Sequence, residues 1–471
     1  MTLQQLTQFA RKYQAEYIDL KISDLAGIWH HITLPISTLG PDLFKFGIGV
    51  DGSSLPGFSS IERGDMVLIP DTATAFIDPF FDRPTLSMIC DIMDATNNDL
   101  ANYSRNPRRV ARDAEAYLGK TVRGARSVFG PEFEFYVFDE VNFYQGPESA
   151  FYSLDSREAN WAAQDDEENL GYKIPYKRGY HAAPPWDRTY NLRSEISSML
   201  AKVGVNLKYH HHEVGGGGQH EIETAFNDMR LMADQAMLVK YFVKNQCFRA
   251  GRSATFMPKP LFNEPGSGLH CHQFLADKNG SLFYDAKGPN RFSKLGLYYI
   301  GGVLKHVDSL LAFTNPSTNS FKRLVPGFEA PVAGTYSVGN RTACIRIPGY
   351  QRNKKTMRFE FRPPDGTMNC YLAFSAMLMA GIEGIKNKID PGPALDRNLD
   401  EMSPEELAKI HKLPTSLSKA LNALEVDHDY LLVNGVFTQD LLEHWVKLKR
   451  KEVDEIRVRP TPYEFELYYD L

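Results

Sequence analysis

Three stretches far apart in the chain alternate ionisable with apolar side chains: "PEFEF" (131–135), "LHCH" (269–272) and "MRFEFR" (357–362). Successive residues of a strand point to opposite faces. Segments of this kind read as strands with one face packed on a core and one face of charge, which is either a solvated surface or a site. Glu132 and Glu134 point one way, and Phe133 and Phe135 point into a core. Arg358, Glu360 and Arg362 share a face opposite Met357, Phe359 and Phe361, and His270 and His272 share one if extended. Carboxylates side by side repel unless a cation is near. An E-x-E alone is weak, because the C-terminal "YEFELYY" carries Glu464 and Glu466 at the same spacing.

The stretch "HHHEVGGGGQHEIE" (210–223) suggests two sites and supports neither directly. A phosphate loop needs its glycines to lead into a helix N-terminus. Here they lead into the alternating, strand-like "QHEIETAF", and no G-K-[ST] follows. Three successive histidines alternate faces on a strand and do not converge. Glu213 and Glu221 flank the glycine run and could meet from two adjacent strands. Carboxylate oxygens suit Mg²⁺ or Mn²⁺ better than zinc. Arg323, Arg341, Arg346, Arg358 and Arg362 fall within about forty residues, a cluster suited to an anionic substrate or to a solvated, ion-paired surface.

The 471 residues carry 53 Lys and Arg against 58 Asp and Glu, a net charge near −5. That balance argues against nucleic-acid affinity, which needs a basic face. The N-terminus lacks the apolar core of a signal peptide. The longest apolar run, "YLAFSAMLMAGIEGI", is too short to span a bilayer and reads as a buried helix. Five scattered cysteines fit a reducing cytoplasm, without a disulfide framework or zinc ribbon.

The first hundred residues are strand-rich. "YIDLKI" and "IWHHITL" flank a hairpin turn, and "DMVLIPD", "TAFIDPF" and "TLSMICDI" follow as short strands. A helix ending near Leu118 comes next. The boundary falls around Asn102 to Asn106, dividing the chain into 1–105 and 106–471. Beyond it, "SVFGPEFEFYVFD" and "KTMRFEFRPPD" read as strands. "NLRSEISSMLAKVG", "DMRLMADQAMLVKYFVKNQCFRAG" and "LGLYYIGGVLKHVDSLLAF" read as helices, the first stopped at Gly204. Ser403, Pro404 and Glu406 form a capping-box signature. The class is α+β, a small β-rich domain before a larger one.

Ten blocks together resemble type I glutamine synthetase: "DGSSLPGF", "DMVLIPD", "GPEFEF", "HHHEVGGGGQHE", "TFMPKP", "GSGLHCH", "TNSFKRLVPGFEAP", "NRTACIRIP", "RFEFRPPD" and "PYEFELYYD". They run in family order from about Tyr17 to Leu471. The resemblance implies a β-grasp N-terminal domain and a catalytic domain with a curved antiparallel sheet and helices. It implies a cytoplasmic ligase joining glutamate and ammonia with ATP through a γ-glutamyl phosphate. It implies two Mg²⁺ or Mn²⁺ ions per site, Glu134, Glu213 and Glu221 holding one and Glu132, His270 and Glu360 the other. Arg323, Arg362 and the backbone of Gly266 would hold glutamate. Arg341, Arg346 and Lys355 would face the phosphates, with His272, Phe226 and Arg358 near the nucleotide. Glu329 would sit on a flap hinged at Gly327. Asp51 would reach a neighbour's site to bind and deprotonate ammonium, and Tyr180 would line that region. The family assembles as twelve subunits in two hexameric rings, with the C-terminal segment inserting into the opposite ring. No nucleic-acid or membrane partner is implied.

Asp400 stands where many members carry a tyrosine that accepts AMP, so no adenylylation is expected there. An AMP mass increment on its peptide would overturn that expectation. Pro265 replaces an asparagine, Phe274 a serine and Lys208 a glutamate. The alternatives are a γ-glutamyl-amine synthetase using a polyamine, and a non-catalytic regulatory relative. The acids Asp51 and Glu329 favour ammonia, and the intact set of six metal ligands disfavours a non-catalytic relative.

Overall fold

The computed structural model describes residues 1–58, 64–95, 100–163, 170–327, 330–351, 353–397, 402–408 and 410–471. Two sheets organise the chain. The first takes Trp29–Pro35, Tyr17–Ser23, Thr85–Asp94, Asp65–Pro70 and Ile48–Asp51 in that spatial order. Tyr17–Ser23 runs parallel to Thr85–Asp94, and its other neighbour is its antiparallel hairpin partner. Ile18, Leu20, Leu68, Leu86 and Met88 form the sheet's buried face. "TAFIDPF" contributes only the two-residue strand Phe76–Ile77.

The second sheet is ten-stranded. Its main path runs Leu207–His212, Gln219–Thr224, Arg126–Phe138, Leu269–Asp277, Phe359–Phe361, Ala343–Ile347 and Ala333–Val338. The alternation sorts its faces as the sequence implies. Phe133, Phe135, Ile222, Leu269, Cys271, Phe359 and Phe361 are fully buried on one side. Each such ring or branched chain contributes about 1.5–3 kcal/mol of burial, which fixes the register and so the placement of the charged face. The regular strand in "KTMRFEFRPPD" is shorter than expected, Phe359–Phe361.

Helices cover the apolar side. Cys370–Asn387, the long apolar run, is buried almost all round and packs on Lys294–Lys305 and Pro107–Thr121. Its N-cap Asn369 accepts from the backbone of Tyr371 and Leu372. It also donates to the carbonyls of Asp24 and Leu25 across the domain junction. Tyr190–Lys202 stops before Gly204, whose φ of +84° ends the helix. "LGLYYIGGVLKHVDSLLAF" is two helices, not one. Lys294–Lys305 and Val307–Thr314 are broken at His306, with φ −102° and ψ 12°. His306 turns there because its Nδ1 meets Asp427 at 2.8 Å, its Nε2 contacts Glu383, and its ring stacks on Tyr430. The second E-x-E is helical: Pro462–Tyr468 opens with a Thr461–Glu464 capping box, and Tyr463, Phe465, Leu467 and Tyr468 are exposed. The Ser403–Glu406 capping box forms as expected, at 2.9 and 3.2 Å.

A buried arginine ties the two halves. Arg108, at the start of Pro107–Thr121, meets Asp71 at 2.6 Å and Asp91 at 3.3 Å on the first sheet's side. It also meets Asp234 of the helix Met229–Arg249 at 2.9 Å.

Candidate active site

Register places the charged residues. Glu221 and Glu223 lie opposite Glu134 and Glu132 on adjacent antiparallel strands. His270 lies opposite Glu132, His272 opposite Glu360, and Glu360 opposite Arg346. One row across the sheet therefore reads Glu223, Glu132, the two histidines, Glu360, Arg346. A second reads His211, Glu221, Glu134. All of these except Glu223 and His272 line one wall of a cavity of about 1270 Å³, also lined by Tyr180, Glu213, Gly266, Arg323, Gly327, Arg341 and Arg362.

The structure brings ligand-type atoms together in two groups on this wall, and in the second His211 stands with Glu213 and Glu221 where Glu134 was expected. His270 Nδ1 lies 3.1 Å from Glu132, 3.7 Å from Glu134 and 3.7 Å from Glu360. Glu132, His270 and Glu360 could together hold a metal ion, and so could His211, Glu213 and Glu221. Burial pushes the Glu213 carboxyl well above the usual carboxylate range, with Glu134 and Glu221 adding to it. Burial does the same to Glu221, reinforced by Glu132 and Glu134. Acids so crowded and desolvated need a cation to ionise together, so the donor set fits a divalent ion with hard oxygen preference. Glu132 differs. Burial raises its pKa, but His272 and His270 outweigh it and hold the carboxyl well below its ordinary range.

Glu213 is positioned by the glycine run. Its N–H donates to the Gln219 carbonyl at 2.8 Å, closing the bend. A Cβ on Gly216 would stand 2.5 Å from the Pro175 carbonyl oxygen. Gly218 has φ +94°, and a Cβ there would stand 2.5 Å from that of Val137. These glycines admit neighbouring backbone as well as turning the chain. The Gly216 N–H donates to buried Glu264 at 2.8 Å. The three histidines diverge: His212 faces Glu158 at 3.3 Å in the interior, His210 lies near Arg193, and His211 faces the cavity.

His211, which the sequence places in neither ligand group, joins Glu213 and Glu221 in the second cluster. Its Nε2 is 3.2 Å from Glu221. The available signal was parity: His211 lies two residues before Glu213 and so shares its face.

The arginines are held in place by the wall itself. Arg346 and Arg362 bind Glu360 at 2.5 and 3.0 Å from two sides. Arg323 donates to the carbonyls of Pro363 at 2.7 Å and Arg362 at 3.2 Å, and its stem fills the space where a Gly266 side chain would stand. Burial draws the Arg323 pKa down. Tyr180 stacks on His181, 4.1 Å between centroids. Burial raises its phenol pKa, as does Glu213, while Arg341 opposes.

Phe226, His272, Arg358, Lys355 and Asp51 lie off the cavity lining, whereas Pro265 and Lys208 are part of it. Phe226 packs behind it, with Arg358 4.9 Å over its ring and His272 edge-on at 6.4 Å. Lys355 is exposed. Asp51 is exposed on the first sheet, where it accepts from Ser53 N–H at 2.8 Å and from the Ser53 and Ser54 hydroxyls at 2.6 and 2.9 Å. Glu329 and Asp400 lie outside the described residues. The Pro265 carbonyl accepts from the Tyr136 hydroxyl at 2.7 Å. Phe274 is buried edge-on against Phe226, and Lys208 is paired with Glu223.

A wall of carboxylates and imidazoles facing clustered guanidiniums is chemically suited to divalent cations and an anionic substrate. Residues 14–95 match the family model described as the glutamine synthetase β-grasp domain, and residues 104–468 match that of the glutamine synthetase catalytic domain. The chain belongs to the glutamine synthetase family. It is 48% identical to a glutamine synthetase of Streptomyces filamentosus, with 98% of each chain covered. It is 46% identical to one of Nostoc sp. (strain PCC 7120), with 100% of each covered. A cryo-EM structure of Plasmodium falciparum glutamine synthetase superposes with a TM-score of 0.89 at 28% identity, covering 100% of this chain and 99% of the other. A GmaS–ADP complex superposes with a TM-score of 0.82 at 26% identity, covering 99% of each chain.

Proposed function

We propose that this cavity is where the chain, an ATP-dependent glutamine-forming ligase, joins glutamate to ammonia. The observation that carries the assignment is the convergence of six metal-ligand candidates and four of the five clustered arginines (Arg323, Arg341, Arg346 and Arg362) on one cavity. Glu134, Glu213 and Glu221 would hold one Mg²⁺ or Mn²⁺, and Glu132, His270 and Glu360 a second. Divalent ions bound there supply positive charge that stabilises the phosphoryl group in transfer.

The chain's own residues do the rest. Arg323, Arg362 and the Gly266 backbone hold glutamate, and Tyr180 lines its approach. Arg341, Arg346 and Lys355 neutralise the ATP phosphates, while Phe226, His272 and Arg358 shape the nucleotide end. A γ-carboxylate oxygen of glutamate attacks the terminal phosphorus. The bond from that phosphorus to the bridging oxygen breaks, releasing ADP and leaving γ-glutamyl phosphate. Ammonium gives a proton to a nearby carboxylate, Asp51 of a neighbouring subunit or Glu329. Neutral ammonia then attacks the acyl carbon and phosphate leaves. The intermediate hydrolyses if wet, and Glu329, expected on a flap hinged at Gly327 (φ +96°), would serve to exclude water.

Ammonia, rather than a larger amine, is the acceptor. Division at residues 105 and 106, a dodecamer of two hexameric rings and a cytoplasmic setting complete the proposal. The five described cysteines are free and buried, in keeping with that compartment. No described helix is long and apolar enough to cross a membrane. The test is phosphate release dependent on both glutamate and ammonium, with γ-glutamyl hydroxamate formation measured in Glu134→Ala and Glu329→Ala. Full activity in both variants, or turnover with putrescine but not ammonium, overturns the assignment.

A further inference from the structure

Glu132 divides its two oxygens between two directions. Oε2 faces His270 at 3.1 Å, within the metal-ligand group described above. Oε1 faces the other way, to His272 Nε2 at 2.7 Å. On that second side, Glu132, Glu223 and His272 bring ligand-type atoms within 4.8 Å of one another. Glu223 and His272 are fully buried. Glu223 Oε2 and His272 Nδ1 are buried without a hydrogen-bond partner. A buried carboxylate with one empty oxygen is costly unless a positive charge lies against it.

That charge comes from the chain. Lys208, on the neighbouring strand Leu207–His212, hydrogen-bonds through Nζ to Glu223 Oε1. Its side chain is 35% exposed and lines the cavity. The ammonium lies 5.3 Å from the Tyr209 ring centroid and 5.6 Å from that of Phe226, whose ring also carries Arg358.

We propose that the Lys208 ammonium is a resident cation: on the Glu132–Glu223–His272 cluster it takes the place of a further metal ion. The inference rests on reading the carboxylate wall as a divalent-cation site. A tethered ammonium carries one positive charge at a fixed position, needs no free metal, and cannot dissociate. The outer edge of the charged row thereby becomes independent of metal supply while the inner two groups remain dependent on it.

The test counts Mn²⁺ bound per chain by equilibrium dialysis on the full-length protein. Lys208→Gln is expected to bind one ion more than the unaltered chain. Lys208→Gln/Glu223→Gln is expected to return to the unaltered count, because the cluster has lost its acid. Lys208→Ala repeats the first arm and leaves room for a hydrated ion where a Gln amide could fill the space. A parallel thermal melt covers loss of stability. Both single variants should melt below the unaltered chain in chelator, and saturating Mn²⁺ should raise their midpoints more than it raises the unaltered one. An unchanged ion count in both single variants, an extra ion in the double variant, or a melting deficit that Mn²⁺ leaves in place overturns the inference. An unaltered chain that binds no Mn²⁺ at all overturns instead the reading of the wall as a metal site.

Discussion

Glu134 and Glu221 stand directly opposite one another on neighbouring antiparallel strands, with Glu213 crowding both from the glycine bend. This is the electrostatic centre of the site, and it is under tension when no divalent ion is bound. Glu221→Gln removes an acid that, without a cation, must either hold its proton or repel its neighbours. In chelator its thermal midpoint is expected to rise by about 1–3 °C. Its γ-glutamyl transfer should fall by about 100-fold or more, beyond the loss typical of residues that only support ligands. Calorimetry in chelator and a hydroxamate assay with Mn²⁺ check the pair, and a lower midpoint in chelator counts against the repulsion.

Gly218 is expected to tolerate no side chain. Its φ of +94° and the 2.5 Å approach of a Cβ to the Val137 carbonyl combine backbone strain with a clash against main chain. Gly218→Ala should lose about 2–4 kcal/mol and weaken Mn²⁺ binding, since the bend that holds Glu213 must shift. Denaturant unfolding and metal titration test this. A variant with unaltered metal affinity would show that Glu213 is positioned independently of the bend.

The Tyr136 hydroxyl donates to the carbonyl of Pro265, which lines the cavity next to Gly266, at 2.7 Å. Tyr136→Phe removes about 1 kcal/mol of hydrogen bonding and frees the loop before Gly266. The expected result is a severalfold higher KM for glutamate with kcat and the KM for ATP within twofold. A fall in kcat alone would place Tyr136 elsewhere in the mechanism.

Elsewhere on the cavity lining, Asp187 binds Arg193 at 2.6 Å, both side chains being buried. Burial pushes the Asp187 carboxyl up, but Arg193 outweighs it and holds the group below the usual range. A folded pKa below the unfolded one means stabilisation present above the ordinary carboxylate range, near 4, and lost as pH falls through the folded value. Asp187→Asn should therefore cost about 3 kcal/mol at pH 7, with the gap to the unaltered chain narrowing below about pH 4. Unfolding titrations from pH 3 to pH 7 measure it, and a constant gap would falsify the linkage.

Much of the site was legible because strand parity is a local rule. Once "PEFEF" and "QHEIE" are strands, Glu132, Glu134, Glu221 and Glu223 have no choice of face. Parity stopped helping where the strand stopped. Arg358 lies one residue before Phe359–Phe361 and turns toward Phe226. The break at His306 was hidden because its causes, Glu383 and Asp427, are distant in sequence. The C-terminal E-x-E was different, since its helix was announced locally. Thr461, Pro462 and Glu464 spell a capping box with proline at the first turn. The grouping of Lys208 with Glu223, Glu132 and His272 needed the order of strands, which no single segment records.

The pairing of each ligand with a core residue has a further consequence. Glu132 and Glu134 alternate with Phe133 and Phe135, so sliding Arg126–Phe138 by one residue would bury the acids and expose the rings. The hydrophobic core thus proofreads the active site. A chain that closes its core in register has already assembled its candidate metal ligands, and a misregistered chain fails as a fold before it can fail as an enzyme.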